Sequence, residues 1–140
     1  AGTLDAWFQA PEKTTVSPLQ MALVAATLTN DGYQPAPKLA NSYQDENGNW
    51  IAFGQSTTQQ QVLDSAVAFR IRERLKAEKQ AIWYQVGHAN IADDEPLTWY
   101  IGGTTPEWTG TPLAIAIAIE GSQPALALQI GSALLNPAAP

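Results

Sequence analysis

Three stretches of the 140-residue chain predict an α+β fold: an antiparallel sheet of three main strands plus a small hairpin, packed against three helices. Residues 112–120, "PLAIAIAIE", alternate with period two, which makes a strand. Residues 81–106 hold two strand-like runs, Ala81 to Ala89 and Leu97 to Gly103, joined by a polar connection ending in Pro96, as in an antiparallel hairpin. Residues 16–32, "VSPLQMALVAATLTNDG", carry a nearly complete set of helix start and stop signals.

Residues 1–15 give no clear pattern. In the first helix Ser17 is the expected N-cap, Pro18 fits the first helical position, and Gln20 completes a capping box. Val16 is placed to staple against Met21. Asn30-Asp31-Gly32 stops the helix, with Gly32 suited to the left-handed conformation. Its alanines and leucines leave little polar surface, so burial on most sides is expected.

Residues 33–54 read as a hairpin around the Asn47-Gly48 turn, with Trp50 to Phe53 returning. Residues 56–80 read as a second helix with overlapping caps at Ser56, Thr57 and Thr58. There Leu63, Val67, Ile71 and Leu75 form the inward ladder, and Arg72, Glu73, Lys76 and Lys79 form the outer face. In 112–120 the isoleucines face one way and the alanines the other. Both faces should be covered, the alanine face closely by a helix. A third helix over 122–137 is expected to cap on Ser122 and to pack through Leu126, Ile130 and Leu134. No repeat or linker divides the chain, which reads as one domain, residues 1–140.

Composition excludes several classes of function. With 45% apolar and 14% charged residues the chain is globular. A net charge of −6 argues against a nucleic-acid partner. Five of the seven basic residues lie at positions 70–79, the solvated face of a helix. The absence of cysteine removes disulfides, thiol catalysis and cysteine-bound zinc. The longest alternating apolar run, Leu113 to Ile119, is far short of the roughly 18 residues of a membrane span. The sequence begins at Ala1 without methionine or a signal pattern, which reads as a processed protein or a piece of a longer one.

Several segments resemble the penicillin-binding proteins. "VSPLQMALVAATLTNDG" followed by "QPAPKL" resembles their T-P-L-Q-x-A segment, alanine-rich helix, N-x-G and hairpin. "LTWYIGGTTP" resembles their aromatic strand, "PLAIAIAIEG" the apolar strand after it, and the last helix their closing helix. The match covers roughly residues 8 to 136 and implies the C-terminal half of a transpeptidase domain, a partial penicillin-binding-protein/β-lactamase-like fold. Active members acylate a serine in S-x-x-K, move protons through S-x-N, and place K-T-G on the strand edging the site. A hydroxyl needs such help because it is a weak nucleophile at neutral pH.

None of these motifs is intact here. Three positions after Ser17, Ser42, Ser56, Ser65, Ser122 and Ser132 stand Gln20, Asp45, Gln59, Ala68, Ala125 and Leu135. No S-x-N occurs either, and both motifs would precede residue 1 in the family. The K-T-G-T-A segment aligns with "QVGHA", so Gln85 stands for the lysine, Val86 for the threonine, Gly87 for the glycine and His88 for the second hydroxyl residue. A preorganised cation at a developing charge contributes a few kcal/mol, on the order seen for single oxyanion donors. Its loss, with that of the hydroxyl, should cripple acyl transfer. Gly87 then implies a close approach by backbone or ligand.

His88 could act as a general base oriented by Asp93, Asp94 or Glu95, or join them at a metal. The favoured reading is a half-exposed strand histidine beside a solvated acidic loop, with no metal and no cofactor. Trp83, Trp99, Tyr100 and Trp108 could form a ligand platform, but core positions are favoured.

The resemblance therefore implies an extracytoplasmic domain of the bacterial cell envelope. Its role would be structural or peptide-binding in peptidoglycan metabolism, with a groove at Gln85, Val86, Gly87 and His88 and no catalytic residue of its own. The expected partners are a peptidoglycan stem peptide or envelope proteins, and no nucleic acid. Two alternatives stand beside this: the C-terminal fragment of an active serine D,D-transpeptidase whose nucleophile lies upstream, and an unrelated α+β interaction module. The fully apolar Leu113–Ile119 strand also needs a neighbour on its open edge: a second copy as a homodimer is favoured, ahead of the chain's own residues 3–9, with upstream polypeptide as a third candidate.

Overall fold

The computed structural model describes residues 15–38, 40–53, 59–90 and 95–135. Helix α1 (Pro18–Thr29) is followed by four short strands, β1 (Tyr33–Gln34), β2 (Ser42–Gln44), β3 (Trp50–Ala52) and β4 (Gln60–Gln61). Then come α2 (Ser65–Leu75), the long strands β5 (Ile82–Asn90), β6 (Pro96–Thr104) and β7 (Ala114–Glu120), and helix α3 (Pro124–Leu135). The fold is α+β, as expected.

The three long strands form one antiparallel sheet in the order β5-β6-β7. Register pairs Gly87 with Trp99, Gln85 with Ile101 and Trp83 with Gly103, and β7 follows with Ala118 opposite Trp99. Because side chains alternate, each strand feeds both faces. On one face Trp83 packs with Ala25 and Leu28 of α1 and Ala68 of α2, with Ile101 and Ala114 beside them. On the other, Tyr100 and Ile82 pack with Ala127 and Leu135 of α3, joined by Ile115, Ile117 and Ile119. The alternation of β7 thus does what its sequence implies: alanines admit α1, and isoleucines fill the space under α3.

Local signals account for α1. Gln20 N donates to Ser17 Oγ, and Ser17 N donates to Gln20 Oε1 at 2.8 Å, a complete capping box. At the other end Asp31 (φ 51) and Gly32 (φ 88) turn left-handed, and Gly32 N closes the helix on Thr27 O. Gly32 is needed there, since a Cβ would run into the Leu63 carbonyl, while its own carbonyl accepts from Val62 and Leu63 N. Burial on most sides does not hold, however. Ala25, Thr27 and Leu28 are buried, whereas Leu19 and Val24 are exposed, because the sheet and α2 cover only one side of the helix.

The second helix is shorter and rotated. Gln60–Gln61 pair with Tyr33–Gln34 as a separate two-stranded sheet, and the helix begins only after Asp64, whose carboxylate accepts from Ala66 and Val67 N. The proposed caps at residues 56–58 lie outside the described residues. Leu63, Ile71 and Leu75 do face the core, but Val67 is exposed and Ala68 takes its place. Arg72, expected on the outer face, is 3% exposed. It donates to Leu28 O (2.7 Å) and Thr29 O (3.1 Å) and pairs with Asp31. A helix C-terminus leaves carbonyls without intrahelical partners and carries partial negative charge, so a buried cation there satisfies both needs.

The last helix also corrects the sequence reading. Its first turn closes on Gln123 O, so Gln123 and not Ser122 is the cap. Its sheet-facing stripe is Ala127, Gly131 and Leu135, while Leu126, Ile130 and Leu134 are exposed. Tyr100 stands beneath this helix, and a Cβ on Gly131 would penetrate its ring. Small residues win the inward face because a large side chain already rises from the sheet. Buried Thr98 fixes the start of α3 by donating to Gly121 O and accepting from Gln123 N.

The 42–52 hairpin forms as expected, with Asp45 accepting from Asn47 and Asn49 N at the turn. No helix among the described residues is long and apolar enough to cross a membrane.

Candidate functional site

The candidate residues lie on β5, which pairs with β6 on one side. On its other side the backbone pairing among the described residues is confined to the strand's first residues, a bridge between Trp83 and Lys76 and a bond from Ala77 N to Ile82 O. From Gln85 onward the described residues leave this side an open edge, a row of backbone donors and acceptors able to pair with an extended chain.

Alternation splits the four residues between the two faces. Gln85 and Gly87 share the α1 face with Trp83, and Val86 and His88 share the α3 face with Tyr84. Gln85 and His88 are exposed, whereas Val86 and Gly87 are half-buried. The Gln85 amide folds back to donate to Val86 O at 2.7 Å. The Gln85 side chain thus brings no positive charge and is held by its own strand.

The glycine is informative. Among the described residues, its two chain neighbours aside, no atom lies within 4 Å of the place where a Gly87 Cβ would be. The close neighbour inferred from the sequence is therefore not among the described residues, which leave the space above Gly87 open.

That space leads into a cavity of about 270 Å³ on the α1 face. Gln85, Gly87, His88 and Ala89 form its β5 side. Trp99 and Ile101 of β6 lie below, and Val16 and Met21 close it from the start of α1. Among the described residues no carboxylate, lysine or arginine lines it. The Val16–Met21 pair, expected as a staple, is therefore also a cavity wall. Trp99 and Ile101 escaped the sequence reading because only the strand register brings them beside Gly87.

The other candidates separate. Trp83 and Tyr100 are fully buried on opposite faces, so the four aromatics do not form one platform. Trp108 donates to Thr111 O within its own turn. Asp93 and Asp94 lie outside the described residues, and His88 makes no ion pair among those described. Among the described residues no three His, Asp or Glu side chains gather into a metal-binding group.

Comparison with known proteins completes the description. The family model of the penicillin binding protein transpeptidase domain matches residues 3–136. Three solved structures of penicillin-binding protein A from Mycobacterium tuberculosis share the fold. Its imipenem acyl-enzyme complex has a TM-score of 0.73 at 24% identity, covering 89% of this chain and 31% of that protein. A further crystal structure of the protein gives 0.71 at 23% identity over 89% and 34%. Its penicillin G acyl-enzyme complex gives 0.68 at 24% over 89% and 32%. The chain thus spans about a third of the length of these proteins. No curated protein sequence matches it.

Proposed function

The chain belongs to the penicillin binding protein transpeptidase family, and from that premise we propose that it forms one wall of a peptide-binding cleft in the bacterial cell envelope. An extended peptidoglycan stem peptide lies along the open edge of β5, and the residues of this chain do not themselves catalyse acyl transfer. The observation that carries this reading is the edge itself. Its described residues leave the backbone unpaired and the space over Gly87 open, which supports a bound strand, and it presents uncharged Gln85 and Val86, which the resemblance aligns with the family's lysine and threonine. Backbone pairing gives affinity for an extended peptide without any charge. Acyl transfer needs an activated nucleophile and preorganised positive charge, and the described edge supplies neither.

Family membership sets aside the reading as an unrelated interaction module. The fragment reading is favoured by one observation: the chain spans about a third of proteins whose solved forms include acyl-enzyme complexes. In that case Gln85 and His88 are variant groups beside a serine and lysine carried on other polypeptide.

Intact-mass analysis of the 140-residue chain after incubation with a reactive penicillin tests the proposal. No mass increase is expected. A stoichiometric adduct, abolished by replacing one serine, refutes the non-catalytic reading.

A further inference from the structure

We propose that Gly87 is the mouth of a side-chain socket, and that the cavity behind it takes one uncharged, apolar side chain of an extended peptide paired along β5. The inference rests on the peptide-binding reading above and adds a selectivity to it.

Glycine in the middle of a strand weakens it, so its presence calls for a compensating use. One common structural use is cover by an aromatic ring from the facing strand. The register offers this, since Gly87 lies directly opposite Trp99. The structure does not take it: among the described residues no atom of Trp99 comes within 4 Å of the Gly87 Cβ position, so the Trp99 ring does not lie over the glycine. Instead Trp99 stays half-buried and contributes to the cavity floor with Ile101.

A strand added to the outer edge of β5 projects alternate side chains onto the α1 face. The residue lying beside Gly87 meets no β5 side chain between itself and Trp99. Its side chain can therefore cross the strand and enter the cavity, where Val16 and Met21 form the far wall. Any larger residue at position 87 would stand in that path.

The chemistry of the lining sets the preference. Trp99, Ile101, Met21 and Val16 offer apolar surface, and among the described residues no carboxylate lines the cavity to pair with an ammonium group. A leucine-sized group gains by leaving water there, whereas an ammonium loses hydration without compensation. The backbone of the peptide contributes equally in both cases, so the difference is carried by the one side chain that enters.

The test is amide chemical-shift titration of the 15N-labelled chain with two blocked peptides, acetyl-Ala-Leu-Ala-amide and acetyl-Ala-Lys-Ala-amide. Both should shift β5 amides between residues 84 and 90, with the leucine peptide binding about tenfold tighter or more. Gly87→Val should remove that preference while leaving signals of α3 unmoved. Equal affinity for the two peptides, or a preference that survives in Gly87→Val, overturns the socket and leaves the peptide reading standing. If neither peptide shifts β5, the peptide reading falls and the socket falls with it.

Discussion

Replacing Arg72 by methionine removes the cation that closes α1 while keeping an unbranched apolar stem. Three interactions disappear, and their worth differs with exposure. The bond to Leu28 O is buried, so the carbonyl is left without water, at a cost of about 2–3 kcal/mol for a charged donor. The Thr29 carbonyl is only partly buried and can turn to solvent, so its loss costs under ~1 kcal/mol. The partner carboxylate of Asp31 is 62% exposed, and a pair so open to water contributes at most about 1 kcal/mol. Against these stands the cost of holding a guanidinium 3% exposed with its Nε unpartnered, which methionine relieves by on the order of 1 kcal/mol. The net expectation for Arg72→Met is a loss of about 2–3 kcal/mol. Asp31→Asn should cost less than ~1 kcal/mol. Urea denaturation reads both as shifts of the midpoint at constant slope. If Arg72→Met unfolds with the wild type, or Asp31→Asn costs as much as Arg72→Met, the carbonyl-capping argument is wrong.

Burial pushes the Tyr100 phenol up to about 12 from 10.0. The unfolded chain then releases this proton at lower pH than the folded one, so the stabilising contribution is complete below pH 10 and is lost as pH rises through about 12. Melting temperatures should therefore fall more steeply above pH 10 for the wild type than for Tyr100→Phe, and parallel curves would deny the effect. Ser17→Ala should cost roughly 1 kcal/mol through the lost cap, and Leu28→Ala about 2–5 kcal/mol through the cavity it leaves. Equal small effects in chemical denaturation would mean that α1 contributes little to the core. Among the described residues the outer side of β7 has no partner strand, and we propose that a second copy pairs there. Ala118→Lys, at an exposed position, should then lower the mass seen by light scattering. A wild type that is already monomeric removes the case for that homodimer.

The elements most legible in the sequence were those whose signals are local. The Ser17–Gln20 capping box, the Asn47-Gly48 turn and the alternation of 112–120 each lie within a few residues, and each forms as read. What was missed depends on distant chain. Gln60–Gln61 looks like the start of a helix until Tyr33–Gln34 arrives as its partner. Arg72 looks solvent-facing on a helical wheel, and only the end of α1 gives it reason to be buried. Leu126, Ile130 and Leu134 are the obvious apolar stripe of α3, yet the Tyr100 ring selects Ala127 and Gly131 instead. At the candidate site, the β5 residues are singled out by their place ahead of the Trp99 strand. The cavity beside them was not, because a lining shared by two strands and a helix start has no contiguous signature.

The alternating strand β7 also bears on how the chain avoids wrong structures while it folds. A hairpin that zips up one residue out of step normally differs from the correct one only by which face its side chains take. In β7 that difference is large. A single-residue slip would carry Ile115, Ile117 and Ile119 under α1, where the approach is set by alanines, and leave alanines beneath α3, where isoleucines fill the layer. One layer would be overfilled and the other hollow, and neither defect could relax without shifting a helix. The mispaired sheet is thus rejected by both layers at once, so β7 acts as a gauge of correct pairing as well as a component of the sheet.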